Sequence, residues 1–281
     1  MTREACNGSM GLRLAMLACA WLLVLGKAQA QREFREYPSF EGAAAAAPLP
    51  SDYQVPGELV IGRLMYPPAR GGFFGGDWRR GGASWTDDYP RGDRTLVQMI
   101  RRFTRINVRS VEQPINLEDE GDVDYWPFMV MGLAAPWNLT DEMAASLREY
   151  LLRGGFMFCD SFFGSRDWVV FEDSLKKVFP DRPIINVADD HPIFHTVFDL
   201  PNMSSVQIPN WNSLPRGYLS DGAVPHWRGV EDDDGRLMML IAHNNDVMDG
   251  WQWADDPRYP SEEANLSLKL GVNVVMYAMT H

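Results

Sequence analysis

The chain has 281 residues, with 26 Lys or Arg against 38 Asp or Glu, which gives a formal net charge of −12. Nucleic-acid binding needs clustered positive charge to meet the phosphates, so this balance excludes a general nucleic-acid role and disfavours adhesion to anionic lipid. The chain is long enough to bury the core of one globular domain without disulfides.

The first 30 residues have the features of a secretory signal peptide. Arg13 precedes an apolar run from Leu14 to Gly26, and Ala28-Gln-Ala30 supplies a small-x-small cleavage pattern. The run is shorter than the roughly 20 apolar residues of a membrane span. Removing residues 1–30 takes away three basic residues and one acidic residue. This leaves 23 Lys or Arg against 37 Asp or Glu, a net charge of −14. We expect an exported protein of the periplasm or cell envelope, without membrane insertion after signal cleavage; an uncleaved anchor is the alternative.

The mature chain retains a single cysteine, Cys159, because Cys6 and Cys19 lie in the signal. It therefore forms no intramolecular disulfide, which suits a bacterial envelope protein. Residues 31–56 contain an alanine run and four prolines and lack apolar periodicity, so they are predicted to be a flexible linker. Residues 57–281 are predicted to form a single α/β domain.

Strand and helix patterns then alternate along the chain. Strands are predicted at 59–65, 108–111, 128–133, 156–159 and 184–187, and as a hairpin of 228–230 with 237–241. Helices are predicted around 96–103, from an N-cap at Thr140 to 153, from Ser165 to 179, and from Ser261 to the end. Alternating elements with near-continuous apolar strands predict a three-layer, doubly wound, mostly parallel sheet covered on both faces, most similar to a flavodoxin-like fold.

Four segments are predicted to meet at the carboxyl edge of this sheet, where α/β proteins usually bind ligands. One is the loop after the first strand, and the others follow the strands that end near 133, 159 and 242. The predicted ligand-binding residues on these segments are Asp87, Arg91, Arg94, Asn138, Asn244, Asn245, Asp249 and Trp251.

Asp160 and His243 are candidates for a carboxylate–imidazole pair that orients a general base, with Asp246 assisting in acid–base work. The alternative is that Asp160 caps a helix and His243 occupies a satisfied polar niche. Cys159 and Ser161 are disfavoured as nucleophiles, because phenylalanines stand where a nucleophile elbow needs glycine.

Neither a metal site nor a cofactor is predicted. Asn244, Asp246 and Asp249 offer hard oxygen ligands, but their spacing does not match the EF-hand loop. The glycine-rich stretch 71–76 lacks the Gly-Lys-Ser/Thr of a phosphate loop and is predicted to be a mobile flap. Tryptophans near the carboxylates, among them Trp253, favour a glycan or another polar small molecule as ligand.

Several motifs occur in order along residues 57–281. They are Trp85-Thr-Asp-Asp-Tyr-Pro-Arg-Gly-Asp-Arg94, Gly154-Gly-Phe-Met-Phe-Cys-Asp160, Val178-Phe-Pro-Asp181, Asp190-His-Pro-Ile-Phe194 and His243-Asn-Asn-Asp246. This pattern resembles the bacterial domain-of-unknown-function family numbered 4159. The resemblance implies an exported or membrane-tethered protein with a fold similar to class I glutamine amidotransferase-like and trehalose-utilisation (ThuA-like) proteins. It implies no catalytic residues, and the chain lacks the elbow cysteine of the amidotransferases.

Two hypotheses of function follow from these observations. In the first, the protein is an envelope binding or assembly module with a polar ligand cleft, and envelope proteins are its partners. In the second, it is a hydrolase that uses Asp160, His243 and Asp246 on a glycan-like or other polar substrate.

Overall fold

Seven strands form one sheet in the computed structural model, which describes residues 33–69, 77–119 and 121–281. The predicted signal peptide and the glycine-rich stretch 71–76 lie outside the described residues. Residues Phe34–His281 form one compact unit. Among the helices that the structure describes, none is both long and apolar enough to cross a membrane.

The sheet is mixed but mostly parallel. Its strands are β1 Ile61–Met65, β2 Gln113–Asn116, β3 Phe128–Met131, β4 Phe156–Phe162, β5 Ile185–Asn186, β6 His226–Glu231 and β7 Leu237–His243, in the spatial order β2-β1-β3-β4-β7-β6-β5. β2, β1, β3, β4 and β7 pair in parallel, whereas β6 runs antiparallel to both β7 and β5. This confirms the predicted α/β class with a mostly parallel sheet; the flavodoxin-like assignment stays a prediction.

Helices cover both faces of the sheet. Within the described residues the α-helices are α1 Arg91–Phe103, α2 Asp141–Leu152, α3 Gly164–Val178, α4 Val247–Gln252 and α5 Ser261–Thr280. Alternate residues of each central strand point to opposite faces. Phe156 and Phe158 of β4 join the core under α1, α4 and α5, while Met157 and Cys159 join the core under α2 and α3.

Most predicted elements are present, and two details differ. Thr140 caps α2 by accepting a hydrogen bond from the Met143 amide, and the hairpin forms as β6 and β7. The strand predicted at 108–111 is wrong, because only Val108 bridges Leu59 there and the paired strand is β2. Ser261 begins α5 without a side-chain capping bond.

The N-terminal part of the predicted linker lies against the domain. The amide of Tyr37 donates to the Tyr89 hydroxyl, and the Ser39 hydroxyl donates to the Thr86 carbonyl. Ala45 is buried within a short 3₁₀ turn, Gly42–Ala45. Residues from Phe34 onward therefore belong to the compact unit, and they bring a further carboxylate, Glu41, to the edge of the sheet.

Candidate functional site

An acidic pocket of about 300 Å³ lies at the carboxyl edge of the sheet. It is lined by Phe40, Glu41, Ala44, Asp87, Asn210, Trp211, Asn212, Asp249 and Trp253. These residues come from the N-terminal segment, the loop after β1, the loop before β6 and the region around α4. The location agrees with the general rule that ligands of α/β sheets bind beyond the carboxyl ends of the strands.

Asp246 and Asp249 are fixed by the start of α4. Asp246 is the N-cap residue, and its Oδ1 accepts from the Asp249 amide at 3.2 Å and from the Ser161 hydroxyl at 2.8 Å. Its Oδ2 accepts from Asn210 Nδ2 at 2.8 Å. Asp249 accepts from the Trp211 amide at 2.6 Å and from Trp253 Nε1 at 2.9 Å.

Asp88 completes a cluster of three buried carboxylates, which we call the acidic triad: Asp88, Asp246 and Asp249. One oxygen from each lies within 4.8 Å of the others. The Asp88 amide donates to Glu41 Oε2 at 2.7 Å, so the N-terminal segment holds the turn that carries it. The backbone of Asp88 has a φ of 60°, a left-handed conformation that is uncommon for residues other than glycine.

Asp160 lies beside the acidic triad on the same face of β4 as Phe156 and Phe158, and next to a bulge in this strand. Two residues lie between Cys159 and Phe162 on β4, whereas one lies between their partners, Ile241 and His243, on β7. Ser161 accommodates the extra residue with a φ of 63°. A bulge re-aims nearby side chains, and Asp160 Oδ2 accepts from the Met248 amide of α4 at 2.7 Å.

Full ionisation of this region is unfavourable. Two unit charges no more than 4.8 Å apart repel by at least about 3.5 kcal/mol at an effective dielectric constant of about 20. Burial raises the pKa of Asp88 well above its usual range, and the charges of Asp87 and Asp249 raise it further. Burial and the nearby charge of Asp246 do the same to the pKa of Asp160. The site therefore needs protons or a bound cation to balance its charge.

The pKa of Asp246 is raised less than the pKa values of Asp88 and Asp249. Burial raises its pKa, but the hydrogen bonds from Asn210, Ser161 and Asp249 lower it. The pKa of Asp249 is raised well above its usual range by burial and then by Asp246. Asp246 is thus the carboxylate of the triad that ionises most readily.

The charge of Arg63 reaches Asp87 and Asp88, but this arginine already has a partner elsewhere. Arg63 of β1 is fully buried and pairs with Asp93 of α1, through Nη2–Oδ2 at 2.7 Å and Nε–Oδ1 at 3.1 Å. Its Nη1 donates to the Asp87 carbonyl at 3.2 Å. Because Asp93 already balances the guanidinium, Arg63 supports the loop of Asp87 more than it offsets the triad.

Two tryptophans form one wall of the pocket. The rings of Trp211 and Trp253 stack at 4.3 Å with an interplanar angle of 12°. Arg258 lies over Trp211 at 4.8 Å and Arg91 over Trp253 at 5.2 Å. The indole faces already have partners, so the wall is rigid and its polar groups dominate ligand contacts.

Four predicted site residues do come together: Asp87, Asp160, Asp246 and Asp249. They meet because the loop after β1 and the ends of β4 and β7 lie at the same edge of the sheet, as the parallel topology predicts.

The structure does not bring Asp160 and His243 together as a pair. His243 Nδ1 lies 2.9 Å from Arg228 Nη1, and its Nε2 lies 3.1 Å from the Gly164 carbonyl, so both ring nitrogens are engaged. The imidazole packs beside Trp168 of α3, whereas Asp160 bonds to α4 on the other face of the sheet. The alternation of strand side chains separates the two residues.

The other predicted ligand residues have structural roles. Arg94 binds Glu112 and Glu36, and Asn138 accepts from Lys177. Asn244 accepts from the Gly164 amide, Asn245 accepts from the Ile208 amide, and Trp251 is buried and donates to the Ser267 carbonyl. Arg91 lies on the rim, where it pairs with Asp255.

Sequence reasoning missed Glu41, Asn210 and Trp211. Glu41 lies in a segment that lacks periodicity, and Asn210 and Trp211 lie in the long connection between β5 and β6. The one available signal was composition, since Asn210-Trp211-Asn212 combines amides with an aromatic ring.

A mixed α/β domain with an acidic pocket at the carboxyl edge of its sheet is the class that this fold and site define. The model of the family described as Domain of unknown function (DUF4159) matches residues 77–279. The chain belongs to this family, as the sequence resemblance predicts. A search of curated proteins finds no significant match. The similarity to amidotransferase-like folds stays a prediction.

Proposed function

We propose that the protein is a binding module whose acidic pocket takes a small hydroxyl-rich molecule, such as a polyol or a monosaccharide. The observation that carries the proposal is the pocket itself, where the carboxylates of Glu41, Asp87 and Asp249 lie beside the amides of Asn210 and Asn212. Carboxylates accept hydrogen bonds, and amides both donate and accept. A hydroxyl group matches this lining because it also does both.

The size of the pocket limits the ligand. Its volume of about 300 Å³ is at the lower end of the range of about 300–1,000 Å³ for small-molecule sites. The Trp211–Trp253 stack closes one side. A single sugar ring or a short polyol therefore fits better than an extended glycan chain.

Binding is favoured over hydrolysis because the acid–base pair is not assembled. Asp160 and His243 lie on opposite faces of the sheet, and burial lowers the pKa of His243 to about 4, far below the range of a general base at neutral pH.

On the basis of residues 1–30 we also propose that binding takes place outside the cytoplasm. Alkaline phosphatase fused after residue 30 tests this: activity supports export, and inactivity contradicts it.

The ligand proposal is tested by calorimetric titration with monosaccharides and polyols. Asp87→Asn keeps the shape of the pocket wall but removes an acceptor charge. Hydrogen bonds to charged groups contribute about 1.5–3 kcal/mol, so affinity is expected to fall about 10- to 100-fold. Asp181→Asn is the matched control, because Asp181 pairs with Arg148 on the surface.

Two results would contradict the proposal. Binding of simple amines in place of every hydroxyl compound would show that the pocket selects cations. Conversion of the ligand during titration, followed by NMR of the ligand, would show an enzyme rather than a binding module.

A further inference from the structure

The acidic triad has the ligand chemistry of a hard-cation site. Asp88, Asp246 and Asp249 are all buried, and each offers a carboxylate oxygen within 4.8 Å of the other two. The ligand atoms are all oxygens, the type that Ca²⁺ and Mg²⁺ prefer, and the triad contains neither the thiolates nor the imidazoles that favour transition metals.

The carboxylates of Asp246 and Asp249 are held in place from outside the triad. Ser161 and Asn210 donate to Asp246, while the Trp211 amide and Trp253 Nε1 donate to Asp249. A carboxylate has about four lone-pair sites, so these donors fix the groups and leave capacity for a cation. Such outer hydrogen bonds orient metal ligands in known sites.

A second observation points to a missing partner. Asp160 is fully buried, and its Oδ1 has no hydrogen-bond donor within the part of the chain that the structure describes. The other oxygen of this carboxyl binds the Met248 amide, between Asp246 and Asp249 in the chain. The carboxyl thus lies against the turn that carries the triad. Buried polar atoms are nearly always partnered, and a cation in the triad supplies a charge partner for Asp160.

We infer that Asp88, Asp246 and Asp249 hold one divalent cation, with Asp160 beside it, and that Ca²⁺ is the best fit. Ca²⁺ accepts six to eight oxygen ligands, including several carboxylates, in flexible geometry, whereas Mg²⁺ is usually bound through one or two carboxylates and keeps several waters. Three buried carboxylates whose oxygens lie within 4.8 Å of one another therefore favour Ca²⁺. The cation faces the pocket through Asp249, which belongs to both.

We expect the cation to take part in ligand binding by the pocket. Bound there, it offers open coordination positions to ligand hydroxyls, while Glu41 and Asp87 accept their protons in hydrogen bonds. This bridging role rests on the proposed function, whereas the cation site itself does not require it.

The site is tested on the chelator-treated full chain with Tb³⁺, a luminescent substitute for Ca²⁺. Because Trp253 Nε1 bonds directly to Asp249, tryptophan excitation is expected to sensitise Tb³⁺ emission, and Ca²⁺ is expected to quench it by competition. Calorimetry with CaCl₂ and with MgCl₂ gives stoichiometry and preference. We expect one site and tighter binding of Ca²⁺.

Variants assign the site to the triad. Asp88→Asn and Asp249→Asn are expected to weaken Ca²⁺ binding at least about tenfold, and Asp181→Asn is expected to leave it unchanged. Near-ultraviolet circular dichroism shows whether each variant is folded. If Asp249→Asn disturbs α4, the assignment rests on Asp88→Asn. Undetectable binding by the wild-type protein, or equal binding by a folded triad variant, would overturn the inference.

The two proposals are separated by titrating polyols with Ca²⁺ and with chelator. Ca²⁺ binding without any polyol binding supports the cation site and contradicts the proposed function. Polyol binding of equal strength in chelator keeps the proposed function and contradicts the bridging role. Polyol binding at least about tenfold tighter with Ca²⁺ supports both.

Discussion

The protonation of His243 gives a prediction that separates a structural role from a catalytic one. The ring stacks near Phe162 and Trp168, at 5.1 and 5.0 Å. Burial lowers its pKa to about 4, and the positive charge of Arg228 adds to the effect, although the Gly164 carbonyl and Asp221 oppose it. The imidazole is therefore neutral in the folded protein near pH 7.

The sign of the stability effect follows from this depressed pKa. Below its ordinary pKa of about 6.5 the unfolded chain takes up a proton that the folded chain refuses until about pH 4. The contribution of the neutral His243 ring to the free energy of unfolding is thus complete above about pH 6.5 and is lost as the pH falls towards 4. At pH 4.5 the loss amounts to about 2 kcal/mol, from about 1.4 kcal/mol for each pH unit between the two values, with a reduction for partial solvent screening.

The assay is urea unfolding at pH 7 and at pH 4.5. His243→Gln retains an amide donor for the Gly164 carbonyl and an acceptor for Arg228, but it does not titrate. The wild-type protein is expected to lose about 2 kcal/mol more than the variant between the two pH values. His195→Gln is the control with the opposite sign, because the Asp189 carbonyl and Asp199 raise the pKa of His195.

Equal losses in the wild type and His243→Gln would refute the reasoning. An NMR titration that placed the pKa of His243 between 6 and 7 would do the same. Either result would mean that the ring is accessible to protons, and the hydrolase hypothesis would then regain its general base.

Three further variants test the surroundings of the site. Asp93→Ala leaves Arg63 buried without its partner and is expected to cost about 3–5 kcal/mol in urea unfolding, much of which the double variant Arg63→Met with Asp93→Leu should recover. Cys159 is buried, which raises the pKa of its thiol; iodoacetamide labelling followed by mass spectrometry should detect modification only after unfolding. Gly62→Ala places a methyl group against Ile115 and is expected to lower stability by about 1–3 kcal/mol, seen as a fall in Tm.

Each of these expectations has a contrary outcome. Unchanged stability of Asp93→Ala would mean that water reaches the guanidinium of Arg63. Rapid native labelling would show that β4 opens around Cys159. An unchanged Tm for Gly62→Ala would show that Ile115 moves aside freely.

The central strands and the covering helices were predictable because their apolar residues are periodic. Phe156 to Cys159 predicts a buried strand from composition alone, and Thr140 predicts the start of α2 from its capping chemistry. β2 was misplaced because its segment, Gln113–Asn116, contains a proline and two polar residues. Its place at the edge of the sheet tolerates a sequence that a central strand would not.

The candidate site was predictable only where the chain topology determines it. Asp87 and Asp246 follow β1 and β7, and Asp160 lies near the end of β4, so their proximity follows from parallel strands that end at one edge of the sheet. Glu41 reaches the same place through side-chain and backbone contacts of an irregular segment, and no periodic pattern predicts such contacts. Asn210 likewise comes from a long connection whose path depends on tertiary packing.

The bulge in β4 changes the face of the sheet on which the end of this strand lies. Without the extra residue, Phe162 would share the face of Phe156 and Phe158; instead it stacks on Phe171 of α3. The bulge leaves Asp160 on the α4 side while the strand beyond it turns over. The Ser161 hydroxyl, at the point of reversal, donates to Asp246. The alternation of β4 thus places Asp160 with the acidic triad and away from His243, while the added residue brings Phe162 to the face of His243, and this favours a cation site over an acid–base pair.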